Sequence, residues 1–288
     1  CSEGVRERMI KDGAVQLLSS SLVDHALAPD DAFPETRTAC AFALSNLTGS
    51  ELAPLLAKVV GDGAVRAFVA LADGVQEHPD PDARARITSG LCNLTLETSM
   101  LGTLVKQGAH IALLKLAKLE PIWSKQQAII LMGLCNLLSV SENQRKILDG
   151  GALTTFENVT KHSSSAGDVP AKFLDNLAKC KELSAMALAN IANELKQHTE
   201  KTHARLLSMM TALSNDAKET ASAQLQHICA TAFSNFSTYM AAPSSECSPL
   251  LSDDVIEAID RLCASTEPNI LLYSAIAFEN LSQTPARK

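Results

Sequence analysis

Hydrophobic residues recur along this chain at helical spacing, in segments separated by short polar, glycine-containing or proline-containing stretches. Six segments carry an asparagine among small and apolar residues, as in ALSNLT, GLCNLT and GLCNLL. These asparagines, spaced 43 to 54 residues apart, are Asn46, Asn93, Asn136, Asn190, Asn235 and Asn280. An all-helical pattern with a period in the forties predicts a solenoid. Function is then sought on a long repeated surface rather than in one catalytic cleft.

Glycine and proline divide each repeat into helices. Four Gly-Ala pairs precede apolar helical segments: Gly13-Ala14, Gly63-Ala64, Gly108-Ala109 and Gly151-Ala152. Glycine tolerates left-handed dihedrals, so each pair predicts a sharp junction between a first and a second helix. Prolines mark the connection to the asparagine-bearing third helix: Pro29, Pro34, Pro79, Pro81, Pro121, Pro170 and Pro268. The predicted repeats are 1–49, 50–96, 97–139, 140–193, 194–238 and 239–288.

The Gly-Ala junction, the apolar second helix and the A-L-x-N-L third helix together resemble the armadillo repeat family, over essentially the whole chain. The resemblance implies an all-α, right-handed α-solenoid, a superhelix of about six armadillo-like three-helix repeats. We expect one domain over 1–288, and a segment of a longer protein, because the chain opens inside a first helix. Repeats five and six lack the Gly-Ala junction. Repeat four is lengthened by a serine-rich stretch, 163–167, expected to be a flexible loop.

Composition narrows the functional classes. The 288 residues are 46% hydrophobic but only 4% aromatic, which suits helix packing. A net charge of −7 disfavours binding to the phosphates of nucleic acid. Neither a leader nor an apolar run of transmembrane length is present, so we expect no membrane span and a cytoplasmic location. Several cysteines fall in apolar helices and are expected to be buried, reduced thiols: Cys40, Cys92, Cys135, Cys229 and Cys263.

The asparagine row is the main candidate for binding a partner. The armadillo resemblance implies that third helices line a concave groove and that the asparagines face into it. A carboxamide offers a donor and an acceptor together, which matches the backbone of an extended peptide. The expected partner-binding asparagines are Asn46, Asn93, Asn136, Asn190 and Asn235. The alternative is that these amides bridge neighbouring helices inside the solenoid.

Residues one helical turn from each asparagine would give the groove its specificity. Phe42, Met132 and Met186 precede their asparagines by four residues and are candidates for apolar contact. Glu97 and Glu194 follow by four and would make acidic spots for Lys or Arg of a ligand, unless they are solvated charges at helix ends. Nuclear import receptors, which the layout resembles, carry Trp at the preceding position. Here none of the six positions has it, which disfavours that role.

The chain shows no convincing catalytic motif. His198 and His203 do not share a helix face, and no CxxC pair accompanies them, so no metal is expected. The Gly61-Asp62-Gly63 run lacks the length and the lysine of a phosphate-binding loop. Five triplets match the glycosylation sequon, yet most lie inside predicted helices. We therefore expect a protein that is not an enzyme and binds no cofactor.

The favoured hypothesis is a non-catalytic protein-interaction scaffold or adaptor that binds an extended partner segment in its concave groove. The alternative is a structural subunit of a large cytoskeletal or ciliary assembly, docking through its convex face and ends. A motor-protein chaperone has no supporting residue. In each case the expected partners are proteins: a peptide segment or neighbouring subunits.

Overall fold

The computed structural model describes residues 2–26, 34–49, 53–77, 80–162, 169–241 and 252–283. Throughout these ranges the secondary structure consists of helices and turns, without strands. The prediction of an all-α protein is confirmed. Three expected features, Pro29, Pro79 and the serine-rich stretch 163–167, lie outside the described residues.

The helices follow one another in groups of three in the first half of the chain. The first nine are α1 (Glu3–Lys11), α2 (Ala14–Ala26), α3 (Pro34–Leu47), α4 (Ala53–Gly61), α5 (Ala64–Glu77), α6 (Pro81–Thr95), α7 (Leu101–Lys106), α8 (Ala109–Ala117) and α9 (Lys125–Leu138). A short 3₁₀ helix, Thr98–Met100, precedes α7. Each group has the predicted order of a first, a second and an asparagine-bearing third helix.

Of the later groups, the fourth keeps that order and the fifth departs from it. The remaining helices are α10 (Ser141–Asp149), α11 (Ala152–Thr160), α12 (Leu174–Ala192), α13 (Glu200–Glu219), α14 (Ala223–Met240), α15 (Asp253–Cys263) and α16 (Pro268–Ser282). A second 3₁₀ helix, Ala171–Phe173, leads into α12. In the fifth group a 3₁₀ turn, Leu195–Gln197, stands where the first helix would be, and α13 is one long second helix.

The Gly-Ala junctions have the geometry that the sequence predicts. Gly13, Gly63, Gly108 and Gly151 all have positive φ angles, between 86° and 98°. A residue with a Cβ atom rarely adopts this conformation, so glycine lets the second helix start immediately after the first ends.

Proline and polar side chains set the ends of the third helices. Pro34, Pro81 and Pro268 are the first residues of α3, α6 and α16, a position where proline loses no helical hydrogen bond. Asp80 caps α6 by accepting a hydrogen bond from the Ala83 N–H at 2.9 Å.

Ser141 and Gln144 have the S-x-x-Q spacing of a capping box, which predicts a helix start after Val140, and α10 does begin there. Val140 occupies the N-cap position of α10 without a side-chain cap. The Gln144 amide donates instead to the Leu138 carbonyl at 3.2 Å, and Asn143 donates to the Leu137 carbonyl at 3.1 Å. The two buried amides thus satisfy the carboxyl end of α9, whose last carbonyls have no partner within the helix.

The chain divides into two compact units. The first comprises Cys1–Pro121 and Lys125–Gly150, and the second comprises Ile122–Ser124 and Gly151–Lys288. In the first unit equivalent helices of successive repeats pack together: α2 on α5 and α5 on α8, α3 on α6 and α6 on α9. In the second unit α12 packs on α14 and α14 on α16. No helix in the described residues has the length and apolar character needed to cross a bilayer.

Each unit has its own apolar core. In the first, Phe68 of α5 is fully buried against Gly90 of α6, where a Cβ atom would lie 2.3 Å from the ring. In the second, Phe233 and Phe236 of α14 are buried. This core also holds an ion pair between Lys181 of α12 and Asp216 of α13.

Candidate functional site

Leucines fix which way the asparagines point. In α6, Leu91 and Leu94 are fully buried and lie three residues apart, on one side of the helix. Asn93, between them, is directed to another side and is half-buried. Leu134 and Leu137 place Asn136 of α9 in the same way.

We call the surface of the third helices that carries these residues the asparagine face. In the first unit it comprises Asn46, Asn93 and Asn136, and in the second Asn190, Asn235 and Asn280. Asn46 is exposed, and the other five side chains are half-buried. No member is completely enclosed between helices, so each retains contact with solvent.

Hydroxyl groups of the preceding repeat hold several of these amides. Asn93 Nδ2 donates to Thr48 Oγ1 at 3.4 Å, and Asn136 Nδ2 donates to Thr95 Oγ1 at 3.1 Å. Thr48 and Thr95 donate their own protons to backbone carbonyls three residues earlier, at 2.8 and 2.7 Å. We call this arrangement of hydroxyl acceptor and amide donor the asparagine–hydroxyl ladder.

The ladder continues in part of the second unit. Asn280 Nδ2 donates to Ser237 Oγ at 3.2 Å and to Thr238 Oγ1 at 3.0 Å. Asn235 has Ala192 at the corresponding position of the preceding repeat, and its side chain makes no hydrogen bond with the described residues. Bridging, the alternative interpretation of the row, therefore applies to Asn93, Asn136 and Asn280.

Bridging uses only part of each amide. A primary amide has two N–H donors and a carbonyl acceptor. At Asn93 and Asn136 the bond to threonine takes one donor, and the carbonyl oxygen accepts no hydrogen bond from the described residues. One donor and one acceptor per amide therefore remain on the half-exposed side.

The aromatic candidate has a neighbour that the sequence did not indicate. Phe42 of α3 is 43% exposed, and the Arg86 guanidinium of α6 lies over its ring, 3.8 Å from the centroid. This is a cation–π contact between successive repeats. On α3 and the start of α6, an open pocket of about 610 Å³ is lined by Glu35, Thr38, Ala39, Phe42 and Asp80.

The two methionines differ in exposure. Met132 of α9 is half-buried, whereas Met186 of α12 is 41% exposed. Met186 thus presents a flexible apolar side chain at the surface of the second unit.

Both glutamates make local hydrogen bonds. Glu97 caps the 3₁₀ helix before α7, accepting from the Ser99 N–H at 3.2 Å and the Ser99 hydroxyl at 2.6 Å. These bonds favour the charged form and lower the pKa of Glu97. Glu194 accepts from the Gln197 amide at 3.1 Å. Each carboxylate is therefore already engaged at a helix end.

Burial makes most of the described thiols inert. Cys92, Cys135, Cys180 and Cys229 are buried, whereas Cys40 and Cys263 are half-buried, less enclosed than expected. Burial raises the pKa of Cys92 and Cys135 to about 11 and that of Cys180 and Cys229 to about 12. The thiolate is the reactive form, so these four side chains are poor nucleophiles at neutral pH.

Other polar side chains have structural roles. The His203 ring contacts the rings of Phe236 and Tyr239, and its Nε2 lies 2.8 Å from the Leu195 carbonyl oxygen. Trp123 contacts His162 edge to face. Within the described ranges no three His, Cys, Asp or Glu side chains come together as a metal site.

Comparisons with known proteins address the fold. No protein-family model matches the chain, and no curated protein matches it. Among solved structures, an engineered protein matches with a TM-score of 0.69 and 19% identity, over 98% of this chain and 61% of that protein. A designed armadillo repeat protein in complex with the peptide (KR)4 matches with a TM-score of 0.63 and 17% identity, over 91% of this chain and 99% of that one.

A third solved structure, a computationally designed armadillo repeat protein for modular peptide recognition, gives a TM-score of 0.66 at 18% identity, with 91% of this chain and 99% of that one aligned. The chain has an armadillo-like repeat fold. The predicted all-α solenoid of armadillo-like repeats is confirmed.

Proposed function

We propose that this chain is a non-catalytic protein-interaction scaffold, and that the asparagine face binds an extended segment of a partner protein. The observation that carries the proposal is the pair of half-exposed amides Asn93 and Asn136 on adjacent third helices, each with a donor and an acceptor still available. An extended peptide exposes an N–H and a C=O along each edge, which such amides complement.

The asparagine–hydroxyl ladder supports this function by orienting the amides. In the first unit Asn93 and Asn136 are held by threonines at 3.4 and 3.1 Å, so their side chains lose little rotamer freedom when a ligand binds. Restricting side chains before association lowers the entropic cost of binding. Asn46 extends the row as an exposed amide.

Specificity would come from the side chains beside the amides. In the first unit these are Phe42 with its covering Arg86, and Met132. In the second unit Met186 lies one turn before Asn190 on α12. Glu97 and Glu194 would attract basic ligand residues only to the extent that their local hydrogen bonds leave oxygen lone pairs free. One of the similar designed proteins was solved with the peptide (KR)4, which supports peptide binding as a use of this fold.

The first prediction tests the amides directly. Linear peptides selected from a random display library against the wild-type protein serve as probes. Changing Asn93→Ala and Asn136→Ala together should weaken binding of those peptides about tenfold or more, because two backbone-directed hydrogen-bonding groups are lost. Isothermal titration calorimetry gives the dissociation constants, and circular dichroism checks helicity.

The matched control removes the hydroxyls and keeps the amides. Thr48→Val with Thr95→Val breaks the same bonds of the ladder, at a similar cost in stability of about 1 kcal/mol each. Binding in this variant should stay within about threefold of wild type, since the ligand-facing groups remain. Equal binding by the asparagine double variant and the wild type would refute the role of the amides.

A second candidate function, a building block of a larger assembly, rests on two exposed apolar side chains of second helices. Leu17 of α2 is 70% exposed and Ile111 of α8 is 43% exposed. If this surface docks on other subunits, Leu17→Ser with Ile111→Ser should abolish concentration-dependent association in light scattering. Peptide binding on the asparagine face should be unaffected.

A further inference from the structure

Large apolar side chains that remain exposed are concentrated in the first and sixth repeats. Of the nine such side chains in the described residues, four belong to repeat one and two to repeat six. The six are Val5, Met9, Leu17 and Phe42, and Leu271 and Leu272. A soluble chain normally covers contiguous apolar surface unless something docks there. The first and sixth repeats are therefore candidates for docking surfaces.

In repeat one, three of the exposed residues occupy positions that are buried in the next two repeats. Val5 and Met9 precede Gly13 by eight and four residues, and Leu17 follows it by four. Their side chains are 52%, 40% and 70% exposed. The residues at the same distances from Gly63 and Gly108 are at most 8% exposed, and they are Leu55, Val59 and Ala67, and Met100, Leu104 and Ala112.

Packing between repeats accounts for this difference. First and second helices pack on their counterparts in the preceding repeat, α4 on α1, α5 on α2 and α8 on α5. Repeat one has the same helices and the same glycine junction, and the described residues include no earlier repeat that covers it. Val5, Met9 and Leu17 therefore form a surface suited to receive another repeat, which we call the leading face.

The last third helix, α16, is exposed on the side where a following repeat would pack. Ala275, five residues before Asn280, and Ser282, two residues after it, are both exposed. At these two positions the asparagine segments of α3, α6, α12 and α14 have residues at most 2% exposed, which are Ala41, Thr88, Ala185 and Ala230, and Thr48, Thr95, Ala192 and Ser237. Each of those four helices packs on the third helix of the next repeat. We call Ala275 and Ser282, together with Leu271 and Leu272 on the same side of α16, the trailing face.

The asparagine–hydroxyl ladder is incomplete at both of these repeats. Ser282 Oγ donates to the Glu279 carbonyl at 2.7 Å, and Thr48 and Thr95 make the same bond at 2.8 and 2.7 Å. Both threonines also accept an asparagine amide of the next repeat, whereas Ser282 accepts none from the described residues. The exposed Asn46 side chain, in turn, makes no hydrogen bond with the described residues. One chain thus has an acceptor without a donor at α16 and a donor without an acceptor on α3.

We propose that copies of this chain associate end to end, with the leading face of one copy packed on the trailing face of the next and the Asn46 amide donating to Ser282 Oγ across the contact. A second copy is the occupant because each face supplies what the other lacks. The contact also continues the packing that already joins successive repeats within the chain. Because the two faces differ, the contact is heterologous, and it leads either to open chains of copies or to a closed ring.

This association goes beyond peptide binding and is compatible with it. In the contact Asn46 uses one N–H donor, as Asn93 does within the chain, so its second donor and its carbonyl stay available to a peptide. The association also differs from the second candidate function, which places docking on the exposed side chains of second helices.

Sedimentation velocity of the full chain tests the proposal, over a range of about 1 to 100 μM in which weaker protein contacts form. The wild-type protein should show a mean mass that rises with concentration. Leu17→Glu alters the leading face, and Leu271→Glu with Leu272→Glu alters the trailing face. Each variant alone should associate about tenfold or more weakly, because the contact would bury an unpaired carboxylate. Leu96→Glu, at an exposed leucine outside both faces, is the matched control and should associate as the wild type does.

Mixing the two altered proteins separates end-to-end association from other modes. Each retains one intact face, so an equimolar mixture should form a one-to-one dimer although neither variant associates alone. Circular dichroism checks that both variants are folded. A mixture that stays monomeric, or a wild-type protein that is monomeric throughout the range, would overturn the proposal. Association that is lost in Ile111→Glu and kept in Leu271→Glu with Leu272→Glu would also overturn it, and would support docking through second helices.

Ser282→Ala tests the hydrogen bond separately from the apolar contact. The variant should associate about threefold more weakly, the effect of losing one hydrogen bond. Unchanged association would overturn the pairing of Asn46 with Ser282. Binding of the selected peptides, measured by calorimetry on the same variants, should stay at the wild-type level, so a failure of association and a failure of peptide binding are separate results.

Discussion

Gly90 illustrates how closely single residues are fitted in this fold. It stands in the GLCNLT segment of α6, and a Cβ atom there would lie 2.3 Å from Phe68 Cζ. Since Phe68 is fully buried, its ring has no solvent to move into. The glycine of this segment is therefore required by side-chain packing, whereas the junction glycines are required by their backbone angles.

We expect Gly90→Ala to destabilise the protein by about 1–3 kcal/mol, the usual cost of overpacking a core. Gly102→Ala in α7 is the matched control, because nothing lies within 4 Å of the added atom. The control should gain about 0.5–1 kcal/mol from alanine's better helix propensity. Urea denaturation measures both changes, and a Gly90→Ala protein as stable as the wild type would contradict the packing argument.

Cysteine reactivity provides a second test at the scale of the residue. Burial raises the pKa of Cys180 and Cys229 to about 12, so their reactive thiolate forms only at strongly alkaline pH. Cys40 and Cys263 are half-buried. With iodoacetamide at neutral pH, mass spectrometry should find Cys40 and Cys263 labelled well before Cys180 and Cys229. Rapid labelling of Cys229 in the native protein would show that α14 opens readily.

At the scale of the element, local sequence signals predicted the helices. They did not predict the contacts between residues that are far apart in the sequence. The Gly-Ala pairs and helix-starting prolines act within a few residues, so their effects could be derived from the sequence. The 3₁₀ turn at Leu195–Gln197 replaces a helix because α13 absorbs the length of the fifth repeat. The missing Gly-Ala junction of the fifth repeat is a local sign of this exchange, but it does not specify the long second helix that results.

The ion pair between α12 and α13 is an example of a long-range contact. Lys181 is 1% exposed and pairs with Asp216, which is 35 residues away in the sequence. Lys181→Met alone should cost about 3–5 kcal/mol, because it leaves the Asp216 carboxylate buried without its cation. Lys181→Met with Asp216→Leu should recover most of that loss, since apolar residues of similar volume replace both charges. Thermal or urea unfolding of the two variants measures the difference. A double variant less stable than the single one would show that the pair itself is the larger stabilising term.

At the scale of the whole molecule, a repeat fold distributes stability locally. In the first unit α5 and α6 pack on their counterparts in the neighbouring repeats, α2, α3, α8 and α9. The strain of Gly90→Ala should therefore accelerate hydrogen exchange most in α5 and α6, and less in the four helices packed on them. Exchange that accelerates uniformly over the chain would indicate global cooperativity instead.

The candidate site was predictable in its position and not in its contacts. The period of the asparagines placed them on third helices, and the burial of Leu91 and Leu94 accounts for the half-exposed position of Asn93. The cation–π contact between Arg86 and Phe42 and the hydrogen bonds of the ladder join residues that are about 40 or more positions apart in the sequence. Such pairs become adjacent only when repeats stack, which no single segment encodes.

A hydroxyl side chain two residues after an asparagine allows that repeat to accept a hydrogen bond from the asparagine of the next repeat. Thr48 belongs to one repeat and receives the amide of the next, as does Thr95. Leu138 and Ala192, at the same position of repeats three and four, offer no such acceptor. A duplicated copy of repeat two would bring its own hydroxyl acceptor for the asparagine of the following repeat, whereas a duplicated copy of repeat four would not. The threonines of the sequons at Asn46 and Asn93 thus have a structural role, as acceptors for the asparagine of the next repeat.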